Sequence, residues 1–170
     1  IEKGLSFIIT ERAPGKILGD FTPDVTSKLT PKIIDVLFNI HKIVPLGSGF
    51  GPWGLDGNGK FKKWKDYLIA SIRQDTYPSD GAEFFDEEFQ EKLKNEIREL
   101  IAYCPEERHL LHEDFGTGNA ISDGKEITAV IDWEDSIYGD PLKDIARLDF
   151  WAEGHGFVDA FKEHYRQSGG

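Results

Sequence analysis

Asp114 and Asn119 stand five residues apart in the segment His112-Glu113-Asp114-Phe115-Gly116-Thr117-Gly118-Asn119, and Asp132 ends the run Val130-Ile131-Asp132. Moving a phosphoryl group onto a hydroxyl requires a carboxylate that accepts or orients the hydroxyl proton. It also requires oxygen ligands for Mg²⁺ bridging the nucleotide phosphates. A loop carrying Asp and then, five positions on, Asn can turn both side chains toward one phosphate site. A second Asp at the end of a nearby hairpin strand supplies another oxygen ligand. Each residue also has a plainer reading, since Asp and Asn often sit in loops to satisfy turns, and Asp132 alone could be a strand-end carboxylate in a salt bridge. The combination is more specific than its parts. The loop spacing, the apolar strand into Asp132 and a Gly139-Asp140-Pro141 turn occur together. No D-x-D-x-D-G run is present, which argues against a calcium loop.

The surrounding pattern predicts the elements that must carry these residues. Glu2 to Glu11 includes Leu5-Ser6-Phe7-Ile8-Ile9 and reads as a strand, broken by Ala13-Pro14-Gly15. Thr30-Pro31 predicts a helix start, with Ile33, Ile34, Leu37, Ile40 and His41 at helical spacing behind it. Gly47 to Gly59 reads as a loop. Phe61 to Arg73 reads as a helix with Trp64, Leu68 and Ile72 on one side. Asp86 to Tyr103 is a stronger helix, its stripe of Phe89, Leu93, Ile97, Leu100 and Ile101 set against a charged face. His109-Leu110-Leu111 and Ala120-Ile121-Ser122 flank the central loop. Asp123-Gly124 is a hairpin-type turn leading to a strand over Glu126 to Ile131. Helical pattern returns after Pro141. The order predicts an α+β fold that is mostly helical.

Gly49-Phe50-Gly51-Pro52-Trp53-Gly54 spells G-x-G-x-x-G, but Pro52 removes one of the backbone donors that a phosphate loop needs. It reads instead as a conformationally special loop.

Composition narrows the partners. The 170 residues fit one domain, and 20 Lys plus Arg against 31 Asp plus Glu give a net charge of −11. That balance argues against a nucleic-acid partner and favours a small cationic one. No run is long and apolar enough for a membrane span, and none resembles a signal peptide. The single cysteine, Cys104, cannot form an internal disulfide, so a reducing cytoplasm is the expected compartment. Its own reading is a small buried hydrophobe at a helix end. The chain begins at Ile1 and contains no Met, so it is expected to be part of a longer protein. Oligomeric state is not indicated.

His112 to Asn119 resembles the H-x-D-x-x-x-x-N catalytic loop of the aminoglycoside phosphotransferases, relatives of the protein kinases. Asp132, within D-W-E, matches the metal-binding Asp that protein kinases carry as D-F-G. Thr10 to Gly15, Ser48 to Gly54, Cys104 to His109 and Ile127 to Trp133 further resemble the hygromycin B phosphotransferases of that family. The resemblance runs from near the first residue to about Trp151. It implies the mostly helical C-terminal lobe of a protein-kinase-like fold, with a small β-hairpin carrying the catalytic loop and the metal-binding Asp. It also implies a catalytic Asp114, Asn119 and Asp132 as Mg²⁺ ligands, and His112 and Asp140 as structural support of the loop. Ile9, Thr10, Glu11 and Arg12 would form the hinge against the nucleotide base. Glu113, Glu134 and Asp135 lie near enough to face a cationic substrate and read equally well as solvated acids.

The implied cofactors are ATP (or GTP) and Mg²⁺. Residues 1–15 are expected to form a hinge-like strand and linker, and residues 16–170 the helical catalytic lobe. A nucleotide-clamping N-terminal lobe and distal C-terminal helices are expected to lie outside this chain, leaving it inactive by itself. The implied reaction moves the γ-phosphate of ATP to a hydroxyl of an aminoglycoside-type antibiotic. The alternatives are a kinase of another small hydroxyl compound, such as a macrolide, amino alcohol or sugar, and a non-catalytic pseudo-kinase.

Overall fold

Thr22-Pro23 starts the first helix of the computed structural model, which describes residues 9–73, 86–151 and 154–168. In α1 (Pro23–His41), Pro23 occupies the first turn, where a missing N–H costs nothing, and the Thr22 carbonyl accepts the N–H groups of Val25 and Thr26. The start expected at Thr30-Pro31 therefore lies inside the helix. Pro31 is tolerated there because it and Ser27 face solvent, so the Ser27 carbonyl that loses its partner can bond to water. Leu29, Ile33, Ile34, Leu37 and Ile40 form the buried stripe. Thr30, far from capping an end, is buried, and its hydroxyl donates to the His155 carbonyl at 3.3 Å.

The glycine-rich segment expected to be a loop folds largely as a β-hairpin. β2 (Phe50–Trp53) runs antiparallel to β3 (Gly59–Phe61), and its other edge pairs with β7 (Ile137–Gly139). Pro52 brings no N–H to the ladder, and the register shifts between Phe50 and Trp53. Glycine is required at position 49, where φ is 81° and a Cβ would lie 2.5 Å from the Gly59 carbonyl oxygen. Because Phe61 belongs to β3, the next helix, α2 (Trp64–Arg73), starts later than its apolar pattern suggested.

Two antiparallel sheets result. One is ordered β1 (Lys16–Ile17), β5 (Ala120–Ser122), β6 (Ile127–Val130). The other is ordered β3, β2, β7, β4 (His109–Leu111). With α3 (Glu87–Ile101), α4 (Leu142–Trp151) and α5 (Phe157–Gln167) they make the mostly helical α+β fold expected, with more sheet than its one small hairpin. Asp86 caps α3 by accepting the Phe89 N–H at 2.8 Å. The α3 apolar stripe is largely exposed, however, and only Ile101 is buried. The strand expected over Glu2 to Glu11 lies mostly outside the described residues. Its described part, Ile9 to Glu11, has no regular structure.

The main core packs α1, α4 and α5 against the β5–β6 hairpin through Leu29, Ile33, Leu37, Ala120, Ile145, Leu148 and Phe157. A smaller cluster of Trp64, Leu111 and Ile137 joins α2 to the second sheet. Among the described residues no helix is long and apolar enough to cross a membrane.

Candidate active site

The segment from His112 to Asn119 bridges the two sheets, leaving one at β4 and entering the other at β5. Phe115 plugs it into the main core at 3 % exposure, and the Thr117 carbonyl accepts the Gly19 N–H at 2.9 Å. The outer rim is open, since a Cβ at Gly116 or Gly118 would meet nothing within 4 Å. The loop is thus anchored at its base and open to a ligand at its rim.

His112 is fully buried and braces this bend. Its Nε2 lies 2.9 Å from the Ile131 carbonyl, which can only accept, so Nε2 carries the proton. Nδ1 is then free to accept the Asp114 N–H at 3.3 Å, which describes a neutral ring. The ring packs against Trp133, whose Nε1 donates to the Val130 carbonyl. His112 therefore joins the loop to the strand end that leads into Asp132.

Asp114 and Asn119 are in direct contact. Asn119 Nδ2 donates to Asp114 Oδ2 and to the Asp114 carbonyl, both at 2.8 Å. The amide nitrogen is thereby spent on Asp114, leaving Asn119 Oδ1 for another partner. The Asn119 carbonyl accepts the Ile131 N–H at 3.0 Å, so Asp132 follows directly on a residue bonded to Asn119. Asp132 is exposed, has φ of 66°, and among the described residues has no hydrogen-bond or ion-pair partner. Glu113 has φ of 71°. Left-handed backbone at two non-glycine residues is costly and persists where surrounding contacts enforce it.

At Glu113 those contacts come from α4. Asp144, 1 % exposed, accepts the His112 N–H through Oδ2 at 3.0 Å and the Glu113 N–H through Oδ1 at 2.9 Å. Oδ2 also meets His41 Nε2 at 3.0 Å. Asp140, expected to tie the loop, instead caps α4 by accepting the Leu142 N–H at 3.0 Å. Burial pushes its carboxyl above the usual range. Lys143 pairs with Glu113, and Arg147 Nη2 donates to Asp114 Oδ1 at 2.8 Å. Burial, helped by the adjacent Arg147 charge and opposed by Asp144, lowers the Lys143 pKa to about 8. The available signal was spacing, because Lys143, Asp144 and Arg147 fall on one face of the predicted helix.

The remaining candidates are placed as follows. Glu113 is turned inward onto Lys143 and is mostly buried. Glu134 and Asp135 are exposed next to Asp132. Ile9, Thr10, Glu11 and Arg12 are exposed and irregular. The chain beyond them runs beside the β5–β6 hairpin, where the Pro14 carbonyl accepts the Thr128 hydroxyl at 2.6 Å. Cys104 is half-buried just after α3, and burial and then the Asp140 charge push its thiol pKa up, which does not suit a nucleophile.

Among the described residues no three His, Cys, Asp or Glu side chains form a metal cluster. Asn119 Oδ1 and the unpartnered Asp132 carboxylate are hard oxygen donors. They suit Mg²⁺, which typically takes one or two protein carboxylates and completes its shell with phosphate and water.

A profile of the phosphotransferase enzyme family (APH) matches residues 2–170. Hygromycin-B 4-O-kinase of Escherichia coli is 31 % identical over 153 residues, 88 % of this chain and 44 % of that protein. Acyl-CoA dehydrogenase family member 11 of Pongo abelii is 28 % identical over 162 residues, 87 % of this chain and 19 % of that protein. The crystal structure of aminoglycoside phosphotransferase APH(4)-Ia is similar at a TM-score of 0.70 and 28 % identity, covering 92 % of this chain and 54 % of that one. A thermostable mutant of APH(4)-Ia, in a ternary complex with AMP-PNP and hygromycin B, is similar at 0.68 and 30 % with the same coverage. This chain thus spans about half the length of these kinase relatives.

Proposed function

The chain belongs to the phosphotransferase enzyme family, and from that premise we propose that it carries the acceptor and metal side of an ATP- and Mg²⁺-dependent O-phosphotransferase. The proposed acceptor is a hydroxyl of an aminoglycoside-type antibiotic of the hygromycin B kind. One observation carries the reading: Asn119 bonds Asp114 with its side chain and Ile131, the neighbour of Asp132, with its backbone. The likeness to a hygromycin-B kinase and to a complex with AMP-PNP and hygromycin B supports it.

In this reading Asp114 orients the acceptor hydroxyl and takes its proton as the oxygen attacks the γ-phosphorus and the bond from that phosphorus to the β–γ bridging oxygen breaks, so that ADP leaves. Asn119 and Asp132 would hold Mg²⁺, which when bound would neutralise phosphate charge. His112 and Asp144 keep the loop in its bent conformation, so that reaction costs little reorganisation. Residues 16–170 act as the catalytic lobe, and Ile9 to Arg12 as the link toward the nucleotide base. Glu134 and Asp135 supply the exposed negative charge that a cationic acceptor meets.

A second reading has its own observation. Lys143 and Arg147 put positive charge beside Asp114, and Glu113 is consumed by Lys143. A wall of mixed sign also suits a neutral small hydroxyl compound. The test is transfer from γ-labelled ATP by the full-length protein to hygromycin B and to a panel of neutral hydroxyl compounds, with and without Mg²⁺. Mg²⁺-dependent labelling of hygromycin B is expected. Labelling of neutral compounds alone would replace the aminoglycoside reading, and labelling of nothing would leave a pseudo-kinase.

A further inference from the structure

Three residues of α4 hold three consecutive residues of the loop. Asp144 takes the backbone N–H groups of His112 and Glu113, Lys143 the Glu113 carboxylate, and Arg147 the Asp114 carboxylate. The backbone contacts set the bend, and only Arg147 reaches the group proposed to meet the acceptor. Asp114 is thereby clamped from both sides, by Arg147 Nη2 on Oδ1 and by Asn119 Nδ2 on Oδ2, each at 2.8 Å.

We infer that Arg147 is the positioning residue for Asp114, holding its carboxylate against Asn119 in the orientation from which it meets the acceptor hydroxyl. A carboxylate on a loop can turn about two side-chain bonds, and every alternative rotamer takes it away from the hydroxyl. The clamp leaves room for the acceptor, because each carboxylate oxygen accepts in more than one direction. The guanidinium is itself seated. Its Nε is buried and has no hydrogen-bond partner among the described residues, although the side chain as a whole is 38 % exposed. Such a planar, always-charged fork suits fixing a carboxylate better than a flexible ammonium does. The inference rests on reading Asp114 as the acceptor-side carboxylate.

The test pairs crystal structures of ligand-free Arg147→Ala and Arg147→Lys with kinetics of the full-length protein. In Arg147→Ala the Asp114 carboxylate should leave Asn119 or divide between rotamers. Its kcat should fall on the order of 10- to 100-fold while the KM for ATP stays within about twofold. Added guanidinium ion should restore part of kcat, and Arg147→Lys should fall between Ala and wild type. A merely structural role would give neither rescue nor the kcat-only effect. An Asp114 carboxylate unmoved in Arg147→Ala overturns the inference, as does an unchanged kcat. If wild type transfers phosphate to no acceptor, the functional reading fails separately, and the Asp114 rotamer still decides whether Arg147 positions it. Should Arg147→Ala not fold, Arg147→Gln takes its place under the same criteria.

Discussion

Asp144 receives the His112 N–H on one carboxylate oxygen while its other oxygen receives the N–H of the next residue, so a helix side chain fixes the backbone of a loop 32 positions earlier. The His112 contact is buried and the Glu113 contact partly so, and Asp144 also holds His41. Replacing it by Ala leaves the buried His112 N–H and the His41 ring without their acceptor. Asp144→Ala should therefore cost about 3–5 kcal/mol of stability. Asp144→Asn should cost less, since it keeps one acceptor but turns an NH₂ toward a donor. Urea unfolding of the full-length protein measures both, and a loss under about 1 kcal/mol would show that the loop does not depend on this tie.

Asp114 and Asp132 should fail differently. Asp114→Asn removes a proton acceptor but keeps a side-chain oxygen that can still accept from Asn119, and the Asn119 bond to the residue 114 carbonyl is retained, so transfer should fall by at least about 100-fold while Mg²⁺–nucleotide affinity stays near wild type. Asp132→Ala removes a metal ligand, so affinity for Mg²⁺–nucleotide should fall along with transfer. Calorimetric nucleotide titrations beside steady-state assays separate the two. Wild-type turnover in Asp114→Asn would assign the acceptor role to another carboxylate.

Lys143 gives a pH dependence with a definite sign. Its folded pKa of about 8 lies below the ordinary 10.5, so between these values the unfolded chain binds the extra proton. Stability therefore rises with pH across that window, and the cost of burying the ammonium is present in full below pH 8. Relative to Lys143→Met, wild type should gain up to about 3 kcal/mol between pH 8 and pH 10.5. Glu113 touches the ammonium and pulls the other way. A difference between the two proteins that stays flat with pH would mean that this pairing cancels the effect of burial, and one that falls with pH that it outweighs burial.

What was legible in the sequence was what is local. The Asp114–Asn119 spacing, the Asp123-Gly124 turn and the β5–β6 hairpin each lie within a short span, and the backbone takes the shape that their turn chemistry favours. The hairpin of β2 and β3 was not legible, because Phe50–Trp53 becomes a strand by pairing with β7, far along the chain. The α3 stripe marked a helix but not its burial, which depends on neighbours that periodicity does not report. Arg147 and Asp144 were hidden for the same reason, since their partners are more than a turn of any one element away. Only their shared helix face was on view.

The misplaced start of α1 leads to a prediction of its own. Pro31 sits inside the helix, cannot donate to the Ser27 carbonyl, and presses its ring toward that turn. In a helix interior Pro is about 3 kcal/mol worse than Ala. The penalty is smaller here because Ser27 is exposed and its carbonyl can bond to water instead. Pro also restricts the unfolded chain, an advantage of about 0.4–1 kcal/mol that Ala gives up. Position 31 is exposed and the buried stripe lies on the other face, so the substitution removes no core contact. Pro31→Ala should therefore stabilise the protein by roughly 1–2 kcal/mol, the remainder after these offsets. Thermal and urea unfolding of the variant test this directly. A destabilised variant would mean that the proline's restriction of the unfolded chain outweighs the broken hydrogen bond at this position.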